Sequence, residues 1–366
     1  MIGLVGKRMR LVLLKLHLWI GVSAAIFLVF LGVTDSIIAF EGDIDHWLHL
    51  SVWYVNTGVA PLPESALILA VEQRYAPSRV AAVHIFRERN LVQVLQMTDR
   101  ASVMVNPYNG TVQGRRTGPS KTQRWLGYIH QLHTHLVPDP ASARAAASVG
   151  EGVVQVAGFL LCILVPTGAI LWWRTKRSAI QWRASWPRIC FDAHQCIGVW
   201  AGAFLFVAAV TGVLVGQERV FFALTHSPGP ARIRHAESSA TATAVAIGID
   251  RAMKIACETI PGATVTDIIL PLNPKGIYII AVRLPEETSE SVHSYVQIDQ
   301  YSGQVLHKVD FRTDSPGYRA VRFNRAIHTG DILGAAGHVI VAVASLLLVA
   351  MVITGLTIWL RKLAVY

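Results

Sequence analysis

The sequence predicts an α-helical four-span membrane bundle carrying two external α+β modules, with an internal twofold repeat. Three observations carry this: composition, four long apolar stretches, and a residue template that recurs in both halves. Of 366 residues, 52% are hydrophobic and only 15% charged, against about 25% charged in an ordinary soluble domain. That hydrophobic share excludes disorder, and 28 Gly and 16 Pro scattered without a period exclude a collagen-like chain. The net charge of +10 would suggest nucleic acid in a soluble protein. Here the charge gathers beside apolar runs, so it reads as membrane topology and nucleic acid is not expected as a partner.

The apolar stretches run from Leu11 to Phe40, Gly152 to Trp173, Ile197 to Gly216 and Ile332 to Leu360. Crossing a bilayer takes roughly 20 helical residues. Lys7, Arg8 and Arg10 precede the first span, Arg174, Lys176, Arg177, Arg183 and Arg188 lie between the second and third, and Arg361 and Lys362 follow the fourth. Short basic segments stay inside, so both termini are expected in the cytoplasm and the two long connections outside. The expected partition is 1–40 (N-terminus and span), 41–151 (external module), 152–173 (span), 174–193 (cytoplasmic loop), 194–216 (span), 217–331 (external module) and 332–366 (span and C-terminus). A cleaved signal peptide is the rival reading of the start, but the first run is too long and no A-x-A site follows.

Two helices share a template. His17 is followed by Gly21 and Thr34, and His194 by Gly198 and Thr211, at the same offsets. The second span closes with Pro166-Thr167-Gly168 and Trp172-Trp173-Arg174, the fourth with Thr354-Gly355 and Trp359-Leu360-Arg361. Each external segment opens with a helix, Glu64 to Tyr75 or Ala244 to Thr259, followed by β-rich runs. These are Arg79 to Phe86, Leu91 to Met97 and Ser102 to Val105 in the first, and Thr264 to Leu270, Ile277 to Leu284 and Val292 to Ile298 in the second. Turns close both, Asn106-Pro107-Tyr108-Asn109-Gly110-Thr111-Val112 and Asp299-Gln300-Tyr301-Ser302-Gly303-Gln304-Val305, each supplying a glycine for positive φ and each predicting a hairpin. Cys162, Cys190, Cys196 and Cys257 form no C-x-x-C or C-x-x-C-H pattern, so a bound haem would be non-covalent.

The order of helix, strands and closing turn resembles the PepSY module. The spans, with L-H-L-W-I-G, I-H-Q-L-H-T-H and I-H-T-G-D-I-L-G, resemble the PepSY-associated transmembrane helix family over nearly the whole chain. Within it, the sequence is similar to the di-haem, ferrioxamine-type ferric-siderophore reductases of bacterial inner membranes. That resemblance implies two non-covalent b haems, a ferric siderophore as substrate with ferrioxamine as the type, and a separate electron donor.

The residue-level case rests on histidine. An imidazole at membrane depth is costly to charge and costly to leave unpaired. A lone one more often bonds a carbonyl, whereas repetition at one template position points to shared chemistry. His17 and His194 are expected on neighbouring helices at one depth, where two neutral imidazoles facing across a gap are what a bis-His haem requires. On the outer side His133 or His135, paired with His328 or His338, is the candidate set. Repeat alignment matches His133-Thr134 to His328-Thr329 and puts Glu151 opposite His338. His338 lies 21 residues from Trp359, about 31 Å along a helix, which places it at the outer interface. Arg124, Arg144, Arg322 and Arg325 outside, and Arg10 and Arg188 inside, are candidate propionate partners.

The expected activity is therefore electron transfer across the membrane to Fe(III) in a periplasmic siderophore, with release of Fe(II). No Ser-His-Asp, Cys-His, H-E-x-x-H, P-loop or G-x-G-x-x-G pattern is found. External aromatics, Tyr108 and Tyr301 among them, are candidates for a docking surface. A non-redox, membrane-anchored PepSY sensing, inhibitory or binding protein is the alternative. A siderophore permease is weakened by having only four spans and no broken-helix pair. The first span departs from the template, with Thr34-Asp35 where Thr-Gly is expected, and Pro138 to Ala147 is an added segment in the first half.

Overall fold

The computed structural model describes residues 2–137, 139, 141, 143–173, 179–227, 236–238, 245–287 and 294–363. Arg174, Lys176, Arg177, His235, Ala244, Pro138 and the start of the strand expected from Val292 lie outside the described residues. The helices are α1 (Ile2–Ile38), α2 (Glu41–Leu48), α3 (Leu50–Trp53), α4 (Glu64–Arg74), α5 (Lys121–His135), α6 (Arg144–Trp173), α7 (Trp186–Val215), α8 (Glu218–Leu224), α9 (Ile249–Thr259), α10 (Pro316–Thr329) and α11 (Ala335–Leu363). The strands are β1 (Val80–His84), β2 (Gln93–Met97), β3 (Ala101–Val105), β4 (Val112–Thr117), β5 (Thr264–Ile269), β6 (Ile277–Arg283), β7 (Ser294–Asp299) and β8 (Val305–Val309). The chain forms two units. One holds residues 1–41, 125–223 and 320–366, the other 42–124 and 224–319. Most of α5 and α10, expected within the external modules, therefore belong to the helical unit.

Four helices are long and apolar enough to span a bilayer, at Arg8–Ile38, Arg144–Trp173, Trp186–Val215 and Ala335–Arg361. Two begin earlier than hydropathy alone suggests, because helix propagation carries past the apolar run into residues such as Arg144 and Trp186-Pro187. Proline is tolerated at such a start, where its missing N–H has no intrahelical partner. The spans form a ring, with α1 against α6 and α11, and α7 against α6 and α11. Its interior is built largely from small residues: Ala24, Ala157, Ala201, Ala209 and Ala344 are buried beside Leu28, Leu161, Leu164, Leu205 and Leu348. Small side chains let helix backbones approach where lipid gives no hydrophobic drive between helices. Large apolar residues point outward, Ile26 being 74% and Trp200 73% exposed, as a lipid-facing surface requires. With charge so sparse and four such helices, this is a membrane protein.

The second unit is a single antiparallel sheet in the order β4-β3-β2-β1-β5-β6-β7-β8. The two modules expected as separate bodies thus share one sheet, joined where β1 pairs β5 through Ala82↔Ile269, Val83↔Ile268 and His84↔Asp267. Sequence alternation explains which face is buried. Val83, Leu95, Val103, Ile268, Ile280, Val296 and Ile298 pack with Leu67, Val71, Ala252 and Ala256 of α4 and α9. On the other face of the first module, Trp53, Val55, Val92, Val94 and Met104 form a smaller core. Trp53 Nε1 donates to Asp45 Oδ2 at 3.2 Å.

Both closing turns use one construction. Asn106 Oδ1 accepts from Tyr108 N at 2.9 Å, and Asp299 Oδ1 accepts from Tyr301 N at 2.9 Å. Gly110 and Gly303 take φ of 71° and 73°, which glycine adopts without a Cβ penalty. The tyrosines have structural work of their own: Tyr108 Oη donates to Arg89 O at 2.9 Å and Tyr301 Oη to Pro274 O at 3.1 Å. These hydroxyls tie each turn to a neighbouring loop.

Candidate functional site: paired imidazoles in the helical unit

Each of four histidines is seated against a threonine on another helix. His17 Nδ1 lies 3.0 Å from Thr167 Oγ1, and His194 Nδ1 lies 3.1 Å from Thr354 Oγ1 and 3.0 Å from Met351 O. At the other ends of the helices, His133 Nδ1 lies 2.9 Å from Thr34 Oγ1, and His328 Nδ1 lies 3.1 Å from Thr211 Oγ1. The threonine hydroxyls spend their protons on their own helices. Thr167 donates to Ile163 O at 2.8 Å, Thr354 to Ala350 O at 2.8 Å, Thr34 to Phe30 O at 2.9 Å and Thr211 to Val207 O at 2.7 Å. What each hydroxyl offers the ring is therefore a lone pair, so Nδ1 carries the proton and Nε2 is left with an unshared pair. The Met351 carbonyl, which can only accept, fixes the same tautomer for His194.

The residue after each threonine explains the Thr-Gly pairs. A Cβ built on Gly168 would stand 3.1 Å from His17 Cε1, one on Gly355 3.2 Å from His194 Cε1, and one on Gly212 2.8 Å from His328 Cε1. Glycine lets the ring lie flat on the neighbouring helix. The fourth seat differs: Asp35 follows Thr34, and its Oδ1 stands 3.9 Å from His133 Nε2. Asn324, one turn before His328, donates from Nδ2 to Thr211 O at 3.0 Å and fastens α10 to α7.

His17 and His194 face one another with ring centroids 6.4 Å apart and planes at 85°. They stand on α1 and α7, which occupy opposite corners of the ring, whereas the sequence suggested neighbours. The pair therefore spans the bundle's centre. Burial lowers the pKa of His133; Asp35 acts next to raise it, and His328 and His130, within electrostatic reach, act to lower it. His133 and His328, each seated on a threonine near the other end of a span, are the candidates for a second pair. Thr34 lies 17 residues beyond His17 on α1, so the two pairs are about 25 Å apart along the bundle.

The other two candidates have partners that are not threonines of the spans. His135 Nδ1 is 2.6 Å from Thr134 Oγ1, and its carbonyl abuts Gly150 of α6. His338 Nε2 is 3.0 Å from Asp331 Oδ1, with the ring edge-on to Phe40 at 6.4 Å. His130 is paired with Glu41, Nδ1 to Oε2 2.6 Å, and that hydrogen bond raises its pKa. Of the Arg candidates, Arg322 is buried in α10, and Arg188 Nε pairs with Asp192 Oδ2 at 3.1 Å. The four threonines escaped sequence reasoning as imidazole partners. Their signal was present in the His-x16-Thr and Thr-Gly spacings, but the spacing alone does not say which helix each hydroxyl meets.

The fold and site define a class: a four-span membrane protein whose helical unit seats histidines on threonines of its spans, together with an α+β sheet unit. The family model of the PepSY-associated TM region matches residues 14–362, and the chain belongs to that family. Comparison with curated proteins finds no match.

Proposed function

We propose that this protein is a di-haem b oxidoreductase of the bacterial inner membrane that passes electrons across the bilayer to a ferric siderophore. His17 with His194 would hold one haem, and His133 with His328 the other. The observation that carries the reading is the tautomer arrangement. Four imidazoles are each pinned at Nδ1 by a threonine and so keep Nε2 free as a donor, two at either end of the helices. The donor count fits as well. Among the described residues no three His, Cys, Asp or Glu side chains gather as a metal cage. Two imidazoles suit an ion whose remaining ligands come from a macrocycle. His17 and His194, whose ring centres are 6.4 Å apart, would be the pair that holds one such ion.

A haem held by two of these imidazoles would supply one-electron transfer. The chain's own residues do the rest. The threonines fix ring tautomer and orientation, the glycines seat the rings, and the lipid-facing shell of apolar side chains keeps water from the interior. At the substrate, Fe(III) accepts one electron, and hard oxygen donors hold the resulting Fe(II) less tightly. No general acid or base is needed, in keeping with a helical unit that carries few ionisable groups inside its spans. Both termini would be cytoplasmic, because Arg8, Arg10, Arg183, Arg188 and Arg361 border the spans at the end bearing the termini. The sheet unit would then be periplasmic.

The test is haem content and visible absorbance of the purified protein. Two low-spin b-type haems per chain are expected. His17→Ala and His194→Ala should each lose the same single equivalent, and His133→Ala and His328→Ala the other. Colourless protein from haem-supplied cells would falsify the redox reading and leave the membrane-anchored sensing or binding alternative.

A further inference from the structure

Three of the four imidazole seats are Thr-Gly, and in each a Cβ would crowd the ring it supports, at 2.8–3.2 Å. The fourth is Thr34-Asp35, and the added side chain is not a neutral filler. Thr34 Oγ1 accepts from His133 Nδ1–H, so Nε2 carries the unshared pair, and Asp35 Oδ1 stands 3.9 Å from that nitrogen. A carboxylate set against a lone pair is a repulsive arrangement that becomes attractive once a positive ion sits on that nitrogen. The carboxylate is also anchored: its Oδ2 accepts from Ser345 Oγ of α11 at 2.6 Å. Its side chain is only 18% exposed, and that of His133 15%, so solvent screens the pair weakly. No carboxylate is recorded within ion-pair distance of His17, His194 or His328 among the described residues.

We propose that Asp35 is a positioning residue that makes the two redox centres unequal, its fixed negative charge favouring the oxidised iron at the His133–His328 site and so lowering that centre's potential below the value its imidazole ligands alone would set. This rests on the haem reading above. Iron in a porphyrin carries one more unit of positive charge when oxidised than when reduced, and a nearby carboxylate stabilises the more positive form. Tuning by charge around a fixed ligand set is one of the levers by which proteins separate the potentials of chemically alike centres. The consequence is directional: the centre beside Asp35 becomes the stronger reductant of the pair when reduced.

The experiment is spectroelectrochemical titration of the full chain in detergent micelles, following the b-type absorbance. Wild type is expected to show two transitions. Asp35→Asn should raise the midpoint of one, namely the transition missing from His133→Ala and His328→Ala, and leave the other in place. Asp35→Gly should do the same, and Asp35→Glu should keep the low value. If Asp35→Gly does not fold, the near-isosteric Asn and Glu variants carry the comparison. Ser345→Ala cuts the contact to α11 but leaves the charge. If it reproduces the rise, helix packing and not the carboxylate is responsible, and the proposal is overturned. Two haems retained in Asp35→Asn with both midpoints unmoved overturns it as well, leaving the haem reading intact. Absence of haem from wild type instead removes the functional reading and this inference together.

Discussion

The tautomer of a histidine is decided by one neighbouring atom, and in this bundle that atom is a threonine oxygen. Thr167→Val keeps the shape of the seat but takes away the hydroxyl 3.0 Å from His17 Nδ1. A buried N–H left unpaired costs about 1–3 kcal/mol, and losing a partner behind a metal-binding imidazole costs roughly 10–100-fold in affinity. Thr167→Val is therefore expected to lose haem to an apo-globin acceptor on that order faster than wild type. Thr354→Val should be milder, since Met351 O still accepts from His194 at 3.0 Å; equal losses would show that the hydroxyl is not what holds the ring. Glu64 governs a different property. It is buried at the first turn of α4, where burial pushes its pKa up to about 7, partly relieved by Gln93 Nε2 at 2.8 Å and raised further by Asp250. The folded state thus keeps a proton that the unfolded chain releases near its ordinary value of 4.5. Stability from this group is full below that value and is lost as pH rises through about 7. At about 1.36 kcal/mol per pH unit the loss is about 3 kcal/mol. Amide exchange in α4 and β2 should then be roughly 100-fold faster in wild type than in Glu64→Gln at pH about 8, and equal at pH about 4.

Between elements, glycine backbones make close approaches. A Cβ on Gly337 of α11 would overlap the carbonyl of Gly330, just past the end of α10, and one on Gly150 of α6 would overlap that of His135 at the end of α5. In both places the helix ends in a left-handed residue, Gly330 with φ 87° and Leu136 with φ 55°, so the chain turns sharply back along the next span. These turns set the height at which His133 and His328 stand. Gly337→Ala must push one backbone off another and is expected to cost about 1–3 kcal/mol or more. Gly152→Ala has open space around its Cβ and should be neutral or slightly stabilising through helix propensity. Thermal unfolding in micelles separates the two, and similar midpoints for both variants would show that the contact is not tight. At the sheet's margins, β4 carries Arg115 and Arg116 and β8 carries Lys308, charges that discourage further strand pairing.

At the scale of the whole chain, each half needs the other in two places. The sheet is continuous only because β1 pairs β5, and the facing imidazoles His17 and His194 come one from each half. Cutting the chain at Ala179 separates residues 1–179 from 180–366. The first fragment alone leaves β1, with Val80, Ala82 and Val83, as an unpaired apolar edge, the kind of strand that recruits other chains. Expressed singly it is expected to aggregate and hold no haem, and co-expression with the second fragment should restore both solubility in detergent and haem content. A monodisperse single fragment would show that each half folds by itself.

Much of this was legible in the residues alone. Hydropathy and length located four spans, because the bilayer imposes a local demand on some twenty consecutive residues. Alternation located six of the strands, β1 to β3 and β5 to β7, and turn chemistry predicted the hairpins that β4 and β8 complete, because Asn106, Gly110, Asp299 and Gly303 act over a few residues. Spacing singled out His17 and His194. Tertiary packing alone decided that these two stand on opposite corners of the ring, that His133 and His328 are seated on threonines of the spans while His135 and His338 bond elsewhere, and that two modules make one sheet. The physical reason is reach: periodicity and turn preference are properties of neighbours in sequence. The partner of a ring nitrogen is set by which helix lies across from it, as His17 meets Thr167 of α6 and not the Thr34 of its own template.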